Sequence, residues 1–328
     1  MKHILITGGA GFIGSHLIDL LLAENNWQVT CVDNFDSFYD AAIKKNNISK
    51  HFNNPKFLLI QEDIRNFSAL REKMTGTYDV IAHLAAKAGV RGSLADPLTY
   101  EQVNVQGTIN LLELARQWQV KQFVFASSSS VYGVNEKVPW SEDNYALKPI
   151  SPYAATKVAA EFMGHIYSYL YGMRFIALRF FTVYGPRQRP DLAIHTFARL
   201  MLEGKPIPLF GNGSAQRDYT YVADVVQAVR AALDYDKTLY EIINIGNNVT
   251  IPLYHLVELI EQRLKIRAKI EHLLEQPGDV PNTHACIEKA RRLLKYNPHT
   301  TIDKGVDCFC QWLVGKDDKD GTALFEKQ

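Results

Sequence analysis

The sequence predicts a doubly wound parallel α/β sheet with a smaller, intertwined C-terminal α/β lobe. Three observations carry this expectation. Over the first 180 residues, short apolar runs alternate with amphipathic stretches of helical period, the pattern of a parallel sheet covered on both faces. A glycine-rich turn joins the first apolar run to the first amphipathic stretch. After Gly185, the residues Pro186, Pro190, Pro206, Pro208, Gly211 and Gly213 break the alternation, marking a change of architecture. A chain of 328 residues can bury a large core without metal or disulfide staples, and it has room for two units at ~100–200 residues per domain.

Element by element, the expected strands are Lys2–Thr7, Val29–Val32, Phe57–Gln61, Asp79–Leu84, Phe123–Ala126 and Phe175–Phe181. Among the helices between them are Phe12–Ala23, Tyr100–Trp118 and Pro152–Leu170. Farther on, Asp218–Val222 and Ile242–Ile245 are expected to return to the sheet, flanking a helix at Ala223–Leu233. Leu253–Leu264 reads as an amphipathic helix whose Leu253, Leu256, Val257, Ile260 and Leu264 face the core. Residues 1–180 therefore form the first domain, with returning segments near 218–248. Residues 181–314 build mainly the second lobe, and the polar stretch 315–328 is expected to be a flexible tail.

Net charge is +1 with a pI near 7.7, which argues against a nucleic-acid or acidic-membrane surface. Cys31, Cys286, Cys308 and Cys310 have no metal or redox spacing and read as reduced thiols of a cytoplasmic protein. The run Ile4–Ile6 is too short for a signal peptide. No apolar stretch approaches the ~20 residues of a membrane span.

The glycine turn is Thr7-Gly8-Gly9-Ala10-Gly11-Phe12-Ile13-Gly14. Gly8 suits the tight turn, Gly11 lets the backbone approach a pyrophosphate, and Gly14 lets helix pack on strand. The helix N-terminus at Phe12 and Ile13 then offers N–H groups and a positive dipole to phosphates. A strand before the turn and a helix after it make this a Rossmann-type dinucleotide site. The second strand runs into Asp33 and Asn34, with Asp33 placed 25 residues after Gly8. That is close to the ~20 expected of an acid on the adenosine ribose. A carboxylate there repels a 2′-phosphate, and no arginine follows directly to hold one, so the cofactor expected is NAD rather than NADP. Asp63 and Ile64, after the third strand, are placed at the adenine edge.

Tyr153 and Lys157 lie at i, i+4 on one helix face. A lysine ammonium, helped by a cationic nicotinamide, would favour the phenolate of a tyrosine whose ordinary pKa is ~10 and make it a usable base. By itself YxxxK is weak, since 16 tyrosines give about one chance match. Its position strengthens it: the helix follows the strand that ends in Ser127-Ser128-Ser129-Ser130, and ligands bind beyond the carboxyl ends of parallel strands.

TGGAGFIG (Thr7–Gly14), Asp33, HLAA (His83–Ala86), SSSSVYG (Ser127–Gly133), SPYAATK (Ser151–Lys157) and RFFTVYGPRQRPD (Arg179–Asp191) together resemble the extended short-chain dehydrogenases/reductases. Within the NAD-dependent epimerase/dehydratase family, the chain is most similar to UDP-glucuronate 4-epimerases, over about its whole length to Trp312. The resemblance implies a catalytic set of Tyr153, Lys157 and Ser128. In it, Tyr153 takes the proton of the sugar 4′-hydroxyl, C4 gives its hydride to a resident NAD, and the 4-keto sugar turns over before the hydride returns. It also implies that Leu84, Ala85, Ala86, Lys87 and Asn104 line the cofactor site. Ser129 and Ser130 stand where dehydratases and decarboxylases carry acids, which favours epimerisation.

Ser129, Ser130, Thr182 and Arg189 resemble residues that bind the uronate carboxylate, with Arg189 able to do so bidentately. Arg217 resembles a diphosphate contact and Asp279 a uridine-ribose contact. Gln276 replaces a frequent arginine, and Cys286 has no implied role. The implied partners are a UDP-sugar substrate and a second copy of the chain, paired through the helices Tyr100–Trp118 and Pro152–Leu170. The product, UDP-galacturonate, would feed polysaccharide biosynthesis. The alternatives are an epimerase of UDP-glucose or UDP-N-acetylglucosamine, and a non-catalytic NAD-binding sensor.

Overall fold

The computed structural model describes residues 1–74, 76–274 and 280–315. The first part of the chain runs β1 (Lys2–Thr7), α1 (Phe12–Ala23), β2 (Trp27–Asp33), α2 (Ala41–Ile48), β3 (Phe57–Gln61), α3 (Phe67–Lys73) and β4 (Val80–His83). It continues through α4 (Val90–Ala95), α5 (Pro97–Glu101), α6 (Gly107–Gln117), β5 (Gln122–Ser128), α7 (Pro152–Tyr171) and β6 (Arg174–Phe180). Then follow β7 (Thr182–Tyr184), α8 (Ala193–Leu202), β8 (Ile207–Phe210), β9 (Gln216–Tyr221), α9 (Val222–Leu233), β10 (Tyr240–Ile245) and β11 (Thr250–Pro252). The last described elements are α10 (Leu253–Leu264), β12 (Ile270–Leu273), α11 (Glu288–Leu294) and α12 (Ile302–Leu313).

Seven strands form the central sheet in the order β10-β6-β5-β4-β1-β2-β3, every pair parallel. Ile4, Leu5 and Ile6 of β1 are all fully buried, as a strand covered on both faces requires. The winding reverses between β1 and β4, so the switch point opens at the carboxyl ends of these two strands, where ligands bind in such sheets. α7 starts on a Ser151 N-cap that accepts from Ala154 N–H, has Pro152 in its first turn, and stops at Gly172 in the left-handed region.

Three expectations change. Asp218–Val222 does not return to the central sheet. β9 lies between β7 and β11 in a separate three-stranded sheet of the second lobe. The reason is polar: the Asp218 carboxylate is fully buried and accepts from the N–H groups of Asn247, Asn248 and Ala285, fastening loops of that lobe. Of the expected returning segments, α9 packs on the central sheet and β10 forms its edge. The expected strand Phe175–Phe181 ends one residue early at Phe180, and Thr182 opens the separate strand β7. The expected helix Tyr100–Trp118 is α5 and α6 joined by a π turn at Gln102–Gln106. That extra residue per turn turns Asn104 toward the loop after β4, where it bonds both the N–H and the carbonyl of Lys87, at 2.8 and 2.9 Å. Gln276, Asp279 and the tail from 316 lie outside the described residues.

A buried ion pair joins α7 to β6. Arg179 Nε and Nη2 donate to the two Glu161 oxygens at 2.9 and 2.7 Å, both side chains being under 5% exposed. Glu161 also accepts from the Ser127 hydroxyl at 2.6 Å. Removing one partner leaves a buried charge uncompensated. Arg179→Met is therefore expected to lower stability by about 3–5 kcal/mol, read as a fall in the urea midpoint at unchanged slope.

Candidate active site

A cleft of about 400 Å³ opens at the carboxyl ends of the central strands. The glycine turn forms one end. Gly8 has φ +69°, and a Cβ there would sit 2.6 Å from Ala85 N. On Gly14 a Cβ would overlap the Gly8 carbonyl. α1 has no side-chain cap, and its first intrahelical bond is Ser15 N–H to Gly11. The earlier N–H groups of Phe12, Ile13 and Gly14 thus stand at a cleft that these residues line, an arrangement suited to a pyrophosphate. Asp33 also lines the cleft and is 8% exposed. Its oxygens accept one bond each, from Ala10 N–H at 3.0 Å and Phe35 N–H at 2.9 Å, which leaves each with acceptor capacity for ribose hydroxyls. Burial raises its pKa. Asn34 donates to Asp63 at 2.9 Å, and Arg65, bonded to Asp63, holds that carboxyl low, at about 2. Uncapped helix, open glycine turn and buried acid together fit a dinucleotide with a free adenosine ribose.

Beneath this end, one chain of hydrogen bonds runs through the switch point. Thr108 Oγ1 donates to the Asn104 carbonyl at 2.6 Å, so it accepts from His83 Nε2 at 2.9 Å. His83 Nδ1 is then the acceptor for Thr7 Oγ1 at 2.7 Å, and Thr7 accepts from Ala85 N–H at 3.3 Å. The bonding assigns the Nε2–H tautomer, and burial drives the His83 pKa down to about 3. His83 is therefore a neutral tie between β1, β4 and α6. Leu84, Ala85, Ala86, Lys87 and Ile64 line the cleft. Asn104 does not: it is buried behind the wall and holds the Lys87 backbone.

Tyr153, Lys157, Ser128, Ser129, Ser130, Thr182 and Arg189 line the other end together. Lys157 Nζ donates to the Ala126 carbonyl at 2.7 Å and lies 5.9 Å from the Tyr153 ring centroid. Ser128 Oγ donates to Ser130 Oγ at 3.1 Å and accepts from Ser130 N–H at 3.2 Å, capping the turn that carries the serines. The expected effect of lysine on tyrosine is not what governs this pair. Desolvation raises Tyr153, opposed by the Ser128 hydroxyl and the Arg189 charge. Burial pushes Lys157 down to about 7, opposed by Glu161. Arg189 makes a two-point pair with Asp191, Nε to Oδ1 at 2.9 Å and Nη2 to Oδ2 at 2.8 Å.

Arg217 is not brought to this cleft. It is partly exposed and donates to the Gln216 carbonyl at 2.9 Å. Cys286 does not line the cleft either, and its backbone N–H bonds the Trp140 carbonyl while its carbonyl accepts from Asn244. The sequence reasoning missed Asp36, Phe38, Tyr39 and Lys44, all on the cleft wall. Lys44, 7% exposed, donates to the Asp36 carbonyl at 2.6 Å. The dense aromatic and charged run directly after Asp33 was the available signal.

A parallel sheet with a glycine turn at its switch point and a Tyr–Lys pair at its carboxyl edge defines a dinucleotide-dependent enzyme of the short-chain dehydrogenase/reductase type. Residues 5–308 match the family described as GDP-mannose 4,6 dehydratase, and the chain belongs to this family of NAD-dependent epimerases and dehydratases. It is 41% identical to a UDP-glucuronate 4-epimerase of Thermodesulfobacterium geofontis, over 95% of this chain and 96% of that one. Among solved structures it is similar to UDP-glucuronic acid 4-epimerase from Bacillus cereus in complex with UDP-glucuronic acid and NAD. That match has a TM-score of 0.90 and 37% identity, covering 95% of this chain and 99% of the other. It is also similar to a UDP-glucose 4-epimerase from Thermotoga maritima with UDP-glucose, at TM-score 0.87 and 30% identity, covering 95% and 99%.

Lys157 gives a pH prediction. Its folded pKa of about 7 lies below the ordinary value of 10.5, so between these values the unfolded chain keeps a proton that the folded protein has released. Stability contributed at this position therefore rises with pH across that window. From pH 7 to 9 the parent is expected to gain about 2 kcal/mol relative to Lys157→Met, measured from paired urea curves.

Proposed function

We propose that this chain is an NAD-dependent epimerase that inverts C4 of a UDP-sugar, with UDP-glucuronate and UDP-galacturonate as its substrate pair. The carrying observation is one cleft that joins the Asp33 and glycine-turn end to Tyr153, Lys157 and Ser128 with serines, Thr182 and Arg189 beside them. Gly8, Gly11, Phe12, Ile13, Gly14, Asp33 and Asn34 would hold the NAD phosphates and adenosine ribose, with Asp63 and Ile64 at the adenine. Bound NAD⁺ supplies a hydride acceptor and donor at C4, and it brings positive charge to a site where burial otherwise keeps Tyr153 protonated.

Tyr153 holds or takes the proton of the 4′-hydroxyl, and Ser128 bonds the same oxygen. Lys157 sits below on the cofactor ribose side. Ser129, Ser130, Thr182 and Arg189 receive the carboxylate and fix its orientation, which guards a β-keto acid against loss of CO₂. None of the serine-loop residues is an acid, so the loop has no general acid with which to expel a hydroxyl. The UDP group would extend beyond this cleft over the second lobe, where the resemblance assigns Arg217 to the diphosphate and Asp279 to the uridine ribose. The second reading is epimerisation of UDP-glucose, favoured by the likeness to the Thermotoga enzyme. Proton NMR of purified protein with UDP-glucuronate, and separately with UDP-glucose, distinguishes them. UDP-galacturonate is expected to appear in the first sample, and its absence after prolonged incubation sinks the assignment. Tyr153→Phe is expected to slow turnover by at least ~10²-fold while NAD stays bound.

We also propose a homodimer through α5, α6 and α7. Phe162 and Tyr169 of α7 are 63% and 81% exposed and Leu98 of α5 is 75% exposed, and these two helices pack together. Large apolar groups exposed on two packed helices suggest an interface. Light scattering is expected to give twice the chain mass of 37.1 kDa, and Phe162→Asp with Tyr169→Asp is expected to halve it.

A further inference from the structure

Beyond Asn34, the residues that lead from β2 to α2 have no role above, yet Asp36, Phe38 and Tyr39 line the cleft. Phe38 is 41% exposed and has a cation on each of two neighbouring loops. The Arg189 guanidinium lies 5.5 Å from its ring centroid and the Lys87 ammonium 5.6 Å. The segment itself is fastened: Lys87 pairs with Asp36 at 3.1 Å, and Lys44 donates to the Asp36 carbonyl.

The loop that carries Arg189 is fastened independently, to α1. His16 Nε2 bonds the Pro186 carbonyl at 2.9 Å, and Arg187 pairs with Asp19 at 2.7 Å. These contacts fix the backbone and leave the direction of the Arg189 side chain to its immediate surroundings. Asp191 holds the Nε–Nη2 edge and is itself 38% exposed, against 18% for the arginine. That pair alone would let the guanidinium follow Asp191 toward solvent. On the cleft wall the guanidinium stands over the Phe38 ring, with Tyr39 and Tyr153 also near it, and the pairing leaves Nη1 outside the Asp191 contact.

We propose that Phe38 is a specificity-determining positioning residue, whose ring holds Arg189 where the carboxylate of a uronate is received and so separates uronates from neutral hexoses. The inference rests on the assignment of Arg189 to the substrate carboxylate. A cation–π contact of this exposure is worth ~0.5–1 kcal/mol, or roughly 2–5-fold in affinity. Tyrosine at the position keeps the π face; leucine keeps bulk and loses it.

The test uses NAD-loaded protein in a Tyr153→Phe background, which blocks turnover, and measures Kd for UDP-glucuronate and UDP-glucose. Phe38→Leu is expected to weaken UDP-glucuronate binding by roughly 2–5-fold and leave UDP-glucose binding unchanged, with Phe38→Tyr restoring the parent value. Equal weakening of both sugars, or loss of NAD from the leucine variant, would overturn the proposal, because the ring would then serve the cofactor or the loop. Arg189→Ala separates the two levels. If it weakens UDP-glucuronate and Phe38→Leu does not, the role of Phe38 fails alone. If Arg189→Ala changes nothing, the carboxylate assignment itself fails.

Discussion

The contact between the glycine turn and the end of β4 sets the geometry of everything above it. Gly8 and Ala85 approach so closely that no side chain fits between them, which brings β1 and β4 together at the switch point. The Thr7–His83–Thr108 bonds continue that contact into α6, and the π turn before α6 carries it through Asn104 to the backbone of Lys87. One side of the cleft is thus a single connected frame. Phosphate-facing helix, ribose-facing acid and the Lys87 loop keep a fixed spacing because they share it.

The other side is governed by burial of charge. Glu161 is already committed to Arg179 and Ser127, so it compensates Lys157 only in part, and the lysine is held near neutrality. Tyr153 is pushed the opposite way, toward its protonated form. With the tyrosine favoured in its protonated form and the lysine titrating near pH 7, the charge of the pair responds to what ligands bring into the cleft, which suits a site whose proton transfer must wait for cofactor and substrate. Arg189, Lys87 and Lys44 ring the cleft as cations, with Asp36 and Asp191 as their partners.

The central sheet was legible because parallel strands are apolar on both faces and their pattern needs no partner to be recognised. Glycine turn, Asp33, Tyr153 and Lys157 were legible for a related reason: each depends on spacing along one element. The misreadings share the opposite cause. β9 looked like a returning strand until its buried Asp218 was seen gathering amides from distant loops. Asn104 looked like a wall residue, yet its π turn aims it behind the wall. Phe38 drew no reading because its partners, Lys87 and Arg189, stand on other loops far along the chain.

By itself, then, the amino-acid order determined the doubly wound sheet, the dinucleotide site and the Tyr–Lys pair, because local periodicity and short spacings encode them. Tertiary structure alone decided the state of the pair, the neutral tautomer of His83, the separate small sheet and the enclosure of Arg189. Those depend on desolvation and on hydrogen bonds between residues far apart in the chain, and neither quantity exists until the chain has closed on itself.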